Sequence, residues 1–140
     1  MAKCCPFCDI IKTRKRIIEE GDFVFVTLSD PRLMAGHALI IPKRHVEKIS
    51  ELREKEKKEL FDFTIKFQEK ILEKIAPGCD ICQHYRPFIA QNDLKIDHLH
   101  VHLQPRFLND ELYKKSQIYH RNIFKPLTEK EAGKITKLLK

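Results

Sequence analysis

Hydrophobic positions along this chain cluster in short runs at first and then spread at helical intervals. Asp22–Leu28 is dense in β-branched and aromatic residues and predicts a buried strand, broken by Ser29-Asp30-Pro31-Arg32. Gly36–Pro42 predicts a second short strand, ended by its proline. Ahead of both, Cys5-Pro6-Phe7-Cys8-Asp9-Ile10-Ile11 predicts a tight turn feeding an apolar start. Ser50 is placed to cap a helix running to about Ala76, where Pro77-Gly78 stops it. Leu60, Phe63, Phe67, Ile71 and Ile75 recur at steps of three and four, so one face of that helix packs on the sheet. A third strand is expected within His84–Ala90 and a fourth over Asp97–Gln104. Thr128 predicts the start of a last helix through a capping box with Glu131. Strands and helices mix without regular alternation, which argues an α+β fold on a mainly antiparallel sheet, with two main helices and about five strands. No repeat or linker marks an internal boundary, so residues 1–140 are expected to form a single domain.

Composition sharpens the picture only slightly. The 140 residues are 42% hydrophobic and 34% charged, enough for a packed core and against wholesale disorder. The longest apolar runs fall far short of the roughly 18 residues a membrane helix needs, and the N-terminus lacks a secretory signal. A soluble cytoplasmic protein is expected, with no membrane partner. The net charge of +7 suits phosphate-bearing partners. Its lysines alternate with glutamates, as in Arg53–Glu59, which reads as a solvated helix face and disfavours nucleic acid as a partner.

The chemistry sits in two residue types. Five cysteines, at positions 4, 5, 8, 79 and 82, fit a disulfide framework poorly in a chain without a secretory signal. Two Cys-x-x-Cys pairs point instead to metal or redox chemistry. His98-Leu99-His100-Val101-His102 is the most informative stretch. On a strand its three histidines project from one face, while Leu99, Val101 and Leu103 project from the other. One imidazole-lined face suggests a metal cluster or a phosphate site.

These residues resemble the histidine triad family of nucleotide hydrolases and transferases. The triad followed by Pro105-Arg106, the opening Cys5-Pro6-Phe7-Cys8-Asp9-Ile10 and the segment Gly36–His45 occur in the family's order. The resemblance implies cleavage at the α-phosphorus of a nucleoside phosphate derivative through a nucleotidyl-histidine intermediate. Dinucleoside polyphosphates, phosphoramidates and adenylylated adducts are the substrate classes it implies. It makes His100 the nucleophile, His102 a catalytic partner touching phosphate or leaving group, and His37 a further phosphate ligand. In a subset of the family the opening cysteines join two histidines on zinc. Here those are Cys5, Cys8, His45 and His98, a closed structural Zn2+ site, with Cys4 adjacent. A homodimer is implied as well.

The sequence departs from the family in the loop ahead of the triad. The usual phosphate-contacting glutamine position is Leu94, with Gln91, Asn92 and Lys95 as possible replacements, and Asp30 lies one residue from the place of a ribose-binding aspartate. Asp30 and Asn92 are therefore taken as nucleotide-binding candidates. Cys79 and Cys82 match no family site and read as buried or reducible thiols, with a redox or second-metal role as the lesser reading. A transferase or phosphorylase using the same intermediate is the nearest alternative, and a non-catalytic nucleotide- or RNA-binding zinc protein is the alternative of another class.

Overall fold

A computed structural model describes residues 5–116 and 123–140, so Cys4 lies outside the described residues. The chain divides into a unit ending at Phe107 and a second from Leu108 to Lys140. The first unit carries an antiparallel sheet of β1 (Glu19–Glu20), β2 (Val24–Leu28), β3 (Ala38–Pro42), β4 (Gly78–Cys82) and β5 (Val101–Arg106), in spatial order β1-β2-β3-β5-β4. It also carries helices α1 (Pro6–Thr13) and α2 (Glu54–Lys74). The expected α+β, mainly antiparallel class is what the chain adopts.

Alternation across the sheet sets two cores. Val24, Val26, Ala38, Ile40, Val101 and Leu103 face α2, which buries Leu60, Phe67 and Ile71 against them. Phe25, Leu39 and Ile41 point the other way, under Phe7 and Ile10 of α1. Glu59 of α2 fastens the turn into β2. Its carboxylate accepts the backbone N–H groups of Asp22, Phe23 and Val24 at 3.0, 2.5 and 2.8 Å. A Cβ on Gly21 would stand 2.7 Å from that carboxylate, so any larger residue there would displace the Glu59 side chain from its bonds. At Gly36 the requirement is conformational, since φ is +84° where the chain turns into β3.

Several expectations are corrected. Residues 6–13 form a helix rather than a tight turn, with Pro6 in its first turn and Arg14 closing it in the left-handed region. Ser50 does not cap α2. It lies in a 3-10 turn, Ile49–Glu51, after which Leu52 runs extended and buries its side chain, and Arg53 becomes the N-cap with its N–H donated to Glu56. Ile75 leaves the apolar stripe and stands 47% exposed at the helix end. No strand forms within His84–Ala90. The strand lies earlier, at β4, an edge strand whose mostly half-buried residues show no apolar alternation. The last strand begins at Val101, and the segment 98–100 leading into it is held by the Leu99 N–H on the Val46 carbonyl at 2.6 Å.

The second unit contains α3 (Glu111–Lys115) and α4 (Glu129–Leu139). Thr128 is the N-cap of α4, its hydroxyl accepting the Glu131 N–H at 3.2 Å, which is one half of the expected capping box.

Candidate active site

Pairing of β3 with β5 sets Leu39 opposite His102, which puts the triad on the sheet face away from α2. A cleft of about 550 Å³ opens there, large enough for a nucleotide. His37, His84, His98, His100 and His102 all line it. Along the floor the ring centroids of His100 and His102 are 4.7 Å apart, and Phe7 stands edge-on to both His98 and His100.

Hydrogen bonds fix the tautomers. His100 donates its Nδ1–H to the His98 carbonyl at 2.7 Å, leaving the Nε2 lone pair unshared. The His37 Nδ1 accepts the Leu33 N–H at 3.2 Å, so its Nε2 carries the proton and donates to the His102 Nδ1 at 2.9 Å. His102 in turn keeps an Nε2–H to offer. Burial, which penalises the charged ring, pushes His37 down to about 4 and His102 to about 3, with the neighbouring His100 adding to both. Burial lowers His100 as well.

Cys5, Cys8, His45 and His98 meet beside this floor, their ligand atoms all within 4.8 Å of one another. The His98 Nδ1 lies 3.3 Å from the Cys5 sulfur and 3.6 Å from that of Cys8, and the His45 Nδ1 lies 3.5 Å from Cys8. Ligand bonds of about 2.0–2.3 Å at tetrahedral angles give sulfur–nitrogen edges of about 3.6 Å, so the set fits a tetrahedral ion. Opposite its ligand nitrogen, His98 donates Nε2–H to the Pro42 carbonyl at 2.8 Å, an outer contact that metal-binding histidines commonly make. The four residues can bind a metal. Among the described residues they are the only such group.

Cys79 and Cys82 take no part in it. Three positions apart on β4, they project from opposite faces, with Cys79 packed on the α2 side and Cys82 opposite His102. Both are free thiols that burial makes less acidic, which removes the geometry for a shared metal or a mutual disulfide.

Asp30 and Asn92 both reach the cleft wall. The Asp30 carboxylate pairs with Arg16 at 2.8 Å. The Asn92 Oδ1 accepts the backbone N–H groups of Leu94 and Lys95 at 2.7 and 3.0 Å and its Nδ2 donates to the Ala90 carbonyl at 3.5 Å, which leaves one amide N–H for a ligand. Gln91 likewise spends its Oε1 on the Asp97 N–H at 2.9 Å. Sequence reading passed over His84 and Arg86, which join the cleft from the loop after β4. A histidine and an arginine two apart beside a proline was the available signal, and it carries little on its own.

A model of the HIT domain matches residues 11–109. An uncharacterised HIT-like protein of Borreliella burgdorferi is 31% identical over 111 residues, covering 76% of this chain and 78% of its own. The crystal structure of a HIT family protein from Bacillus anthracis superposes with a TM-score of 0.73 at 23% identity, covering 99% of this chain and 96% of that one. A zinc-bound histidine triad family protein from Mycobacterium smegmatis aligns with a TM-score of 0.66 at 23% identity over 78% of this chain and 79% of its own. With the triad on one sheet face and the family model spanning the whole sheet, this chain belongs to the HIT family.

Proposed function

We propose that the protein is a nucleotide hydrolase that cleaves at the α-phosphorus, with His100 as nucleophile. The observation that carries this reading is the His100 Nδ1–H bond to the His98 carbonyl, which holds the Nε2 lone pair free at the cleft floor. In the first step the Nε2 lone pair forms a bond to phosphorus and the bond to the leaving group breaks. Water then attacks phosphorus, and the P–N electron pair returns to Nε2. His102 supplies Nε2–H to the reacting oxygens, and His37 holds that ring in place from behind. Asp30 is proposed for the ribose and the Asn92 amide for the nucleotide. Most of this work is positioning and charge stabilisation, as phosphoryl transfer demands.

Zinc is proposed for the Cys5, Cys8, His45 and His98 set. With four protein ligands it has a structural role, tying α1 to the segment that presents His100.

A homodimer belongs to the same reading. Phe61, Ile65 and Leu72 form a second apolar stripe on α2, each exposed, and among the described residues β4 leaves a sheet edge unpaired with Ile81 exposed on it. A second copy would cover both.

The reading is tested with adenine and guanine dinucleoside polyphosphates and nucleoside phosphoramidates, products resolved by chromatography. Release of nucleoside monophosphate from at least one class is expected. Turnover of none would refute it.

A further inference from the structure

His100 and His102 are continued along the cleft by a third ring. The centroid of His84 lies 5.3 Å from that of His102, and beyond it the Arg86 Nη2 lies 3.3 Å from the His84 Nδ1. A guanidinium only donates, so the His84 Nδ1 accepts and its Nε2–H remains to be given. The row therefore runs from one lone pair, on His100, to donors on His102 and His84 and then to a fixed positive charge.

The cleft's other cations differ in what they face. Arg16 is matched by Asp30 at 2.8 Å and Lys95 by Asp97. Among the described residues Arg32 and Arg86 meet no carboxylate, and of these two Arg86 alone is tied to the histidine row. An arginine in that state is suited to a phosphate, which it can grip through two parallel N–H bonds.

We infer that Arg86, held by His84, reads the leaving group and selects substrates whose leaving group is itself a phosphate anion. The inference rests on the proposed role of His100. Chemistry at the other end of the row supports it. When the His100 Nε2 lone pair bonds to the α-phosphorus, the α-phosphorus–bridging-oxygen bond breaks and its electron pair departs on the β-phosphate. That anion needs no proton, and Arg86 neutralises it. An amine leaving group must gain a proton to depart. His102 is a neutral ring whose Nδ1 already accepts from His37, so it offers a hydrogen bond rather than an acid. In the second step water adds to the α-phosphorus, the P–N pair returns to His100, and the water's proton passes to solvent.

Binding and turnover together test this. Calorimetry on the wild type should show α,β-methylene-ADP binding about tenfold or more tighter than AMP, a preference Arg86→Ala cuts to about twofold and Arg86→Lys partly restores. His84→Ala should weaken the diphosphate analogue more than AMP, because it frees the Arg86 side chain. For diadenosine triphosphate against adenosine 5′-phosphoramidate, Arg86→Ala should lower the ratio of kcat/KM about tenfold or more. A diphosphate preference that survives Arg86→Ala, or equal losses on both substrates, would overturn the inference. If neither substrate turns over while the diphosphate preference still depends on Arg86, the phosphate subsite stands and the hydrolase reading fails.

Discussion

His98 and His100 hold opposite tautomers although they are two residues apart. His98 donates from Nε2 to the Pro42 carbonyl and aims Nδ1 at two sulfurs, whereas His100 donates from Nδ1 to the His98 carbonyl and keeps Nε2 bare. One backbone segment thus brings one imidazole nitrogen to the metal-capable set and an unshared imidazole lone pair to the cleft. The link is direct, because the carbonyl that orients His100 belongs to the residue that the metal set anchors.

His100→Ala should abolish turnover while AMP binding survives. For covalent nucleophiles the residual rate reflects binding alone, so a loss of about 10³-fold or more in kcat is expected. Steady-state assays on the best substrate, paired with calorimetry using AMP, provide the check. A variant keeping a tenth of wild-type activity would remove His100 from the mechanism.

Elemental analysis of protein purified without chelators should find about one zinc per chain. Cys8→Ser should lower both zinc content and melting temperature, the latter on the order of 5 °C or more, since four closed ligands couple the ion to folding. Full zinc content in the Cys5→Ser/Cys8→Ser double variant would place the ion elsewhere.

The His37–His102 bond needs His37 unprotonated at Nδ1 and His102 unprotonated at its own Nδ1. Burial, with His100 nearby, holds the two near 4 and 3, so both stay neutral well below the ordinary histidine value of 6.5. As kcat/KM reports the free enzyme, the contribution of this pair should stay level as pH falls from 8 to about 5 and be lost below that. Comparing pH profiles of the wild type and His37→Asn isolates it. A wild-type advantage that disappears between pH 7 and 6 would show ordinary titration instead.

Arg44 grips Glu56 through two bonds, Nε to Oε1 at 2.9 Å and Nη2 to Oε2 at 2.8 Å, and its Nη2 also reaches the Glu51 carbonyl at 2.7 Å. The first of these causes, the side-chain bond from Arg44, outweighs burial and holds the Glu56 carboxyl down to about 2 from 4.5. A depressed carboxyl stabilises the fold above its unfolded value, and that stability is lost as pH falls from 4.5 toward 2. Because the Arg44 side chain is 38% exposed, the contribution is on the order of 1–2 kcal/mol. Urea denaturation should find Glu56→Gln weaker than the wild type at pH 7, with the gap narrowing at pH 3. A gap that is unchanged at pH 3 would show that the loss comes from packing rather than charge.

The exposed stripe on α2 gives a test of association. Phe61→Glu/Ile65→Glu should shift the protein from dimer to monomer in sedimentation velocity, with little change in melting temperature of the monomeric unit. A wild type that is monomeric at high micromolar concentration would remove the dimer from the proposal.

Strong periodicity made much of the fold legible in the sequence. The runs at β2 and β3 and the apolar stripe of α2 carry their own burial, so tertiary packing only had to agree with them. β4 was missed for the opposite reason: an edge strand pairs on one side and needs little apolar alternation, and Gly78–Cys82 shows none. The start of α2 was misplaced because a buried Leu52 outweighs the capping preference of Ser50. In the site, the shared face of the triad was readable because its two-residue spacing constrains it, whereas joining Cys5 and Cys8 to His45 and His98 rested on the family resemblance. Arg86 and His84 were not, since their meaning comes from a loop path that no local pattern encodes.

The sheet order carries a consequence for folding kinetics. β3 and β5 lie side by side in the middle of the sheet, yet His37 and His102, which meet across that seam, are 65 positions apart in the chain. Closing so long a stretch costs chain entropy before any contact rewards it, so this pairing should belong to the late part of folding. The β1–β2 and β2–β3 pairings are local and have no such barrier. The cleft is therefore complete only once the least local seam has zipped, and recovery of the proposed activity during refolding should lag the recovery of secondary structure.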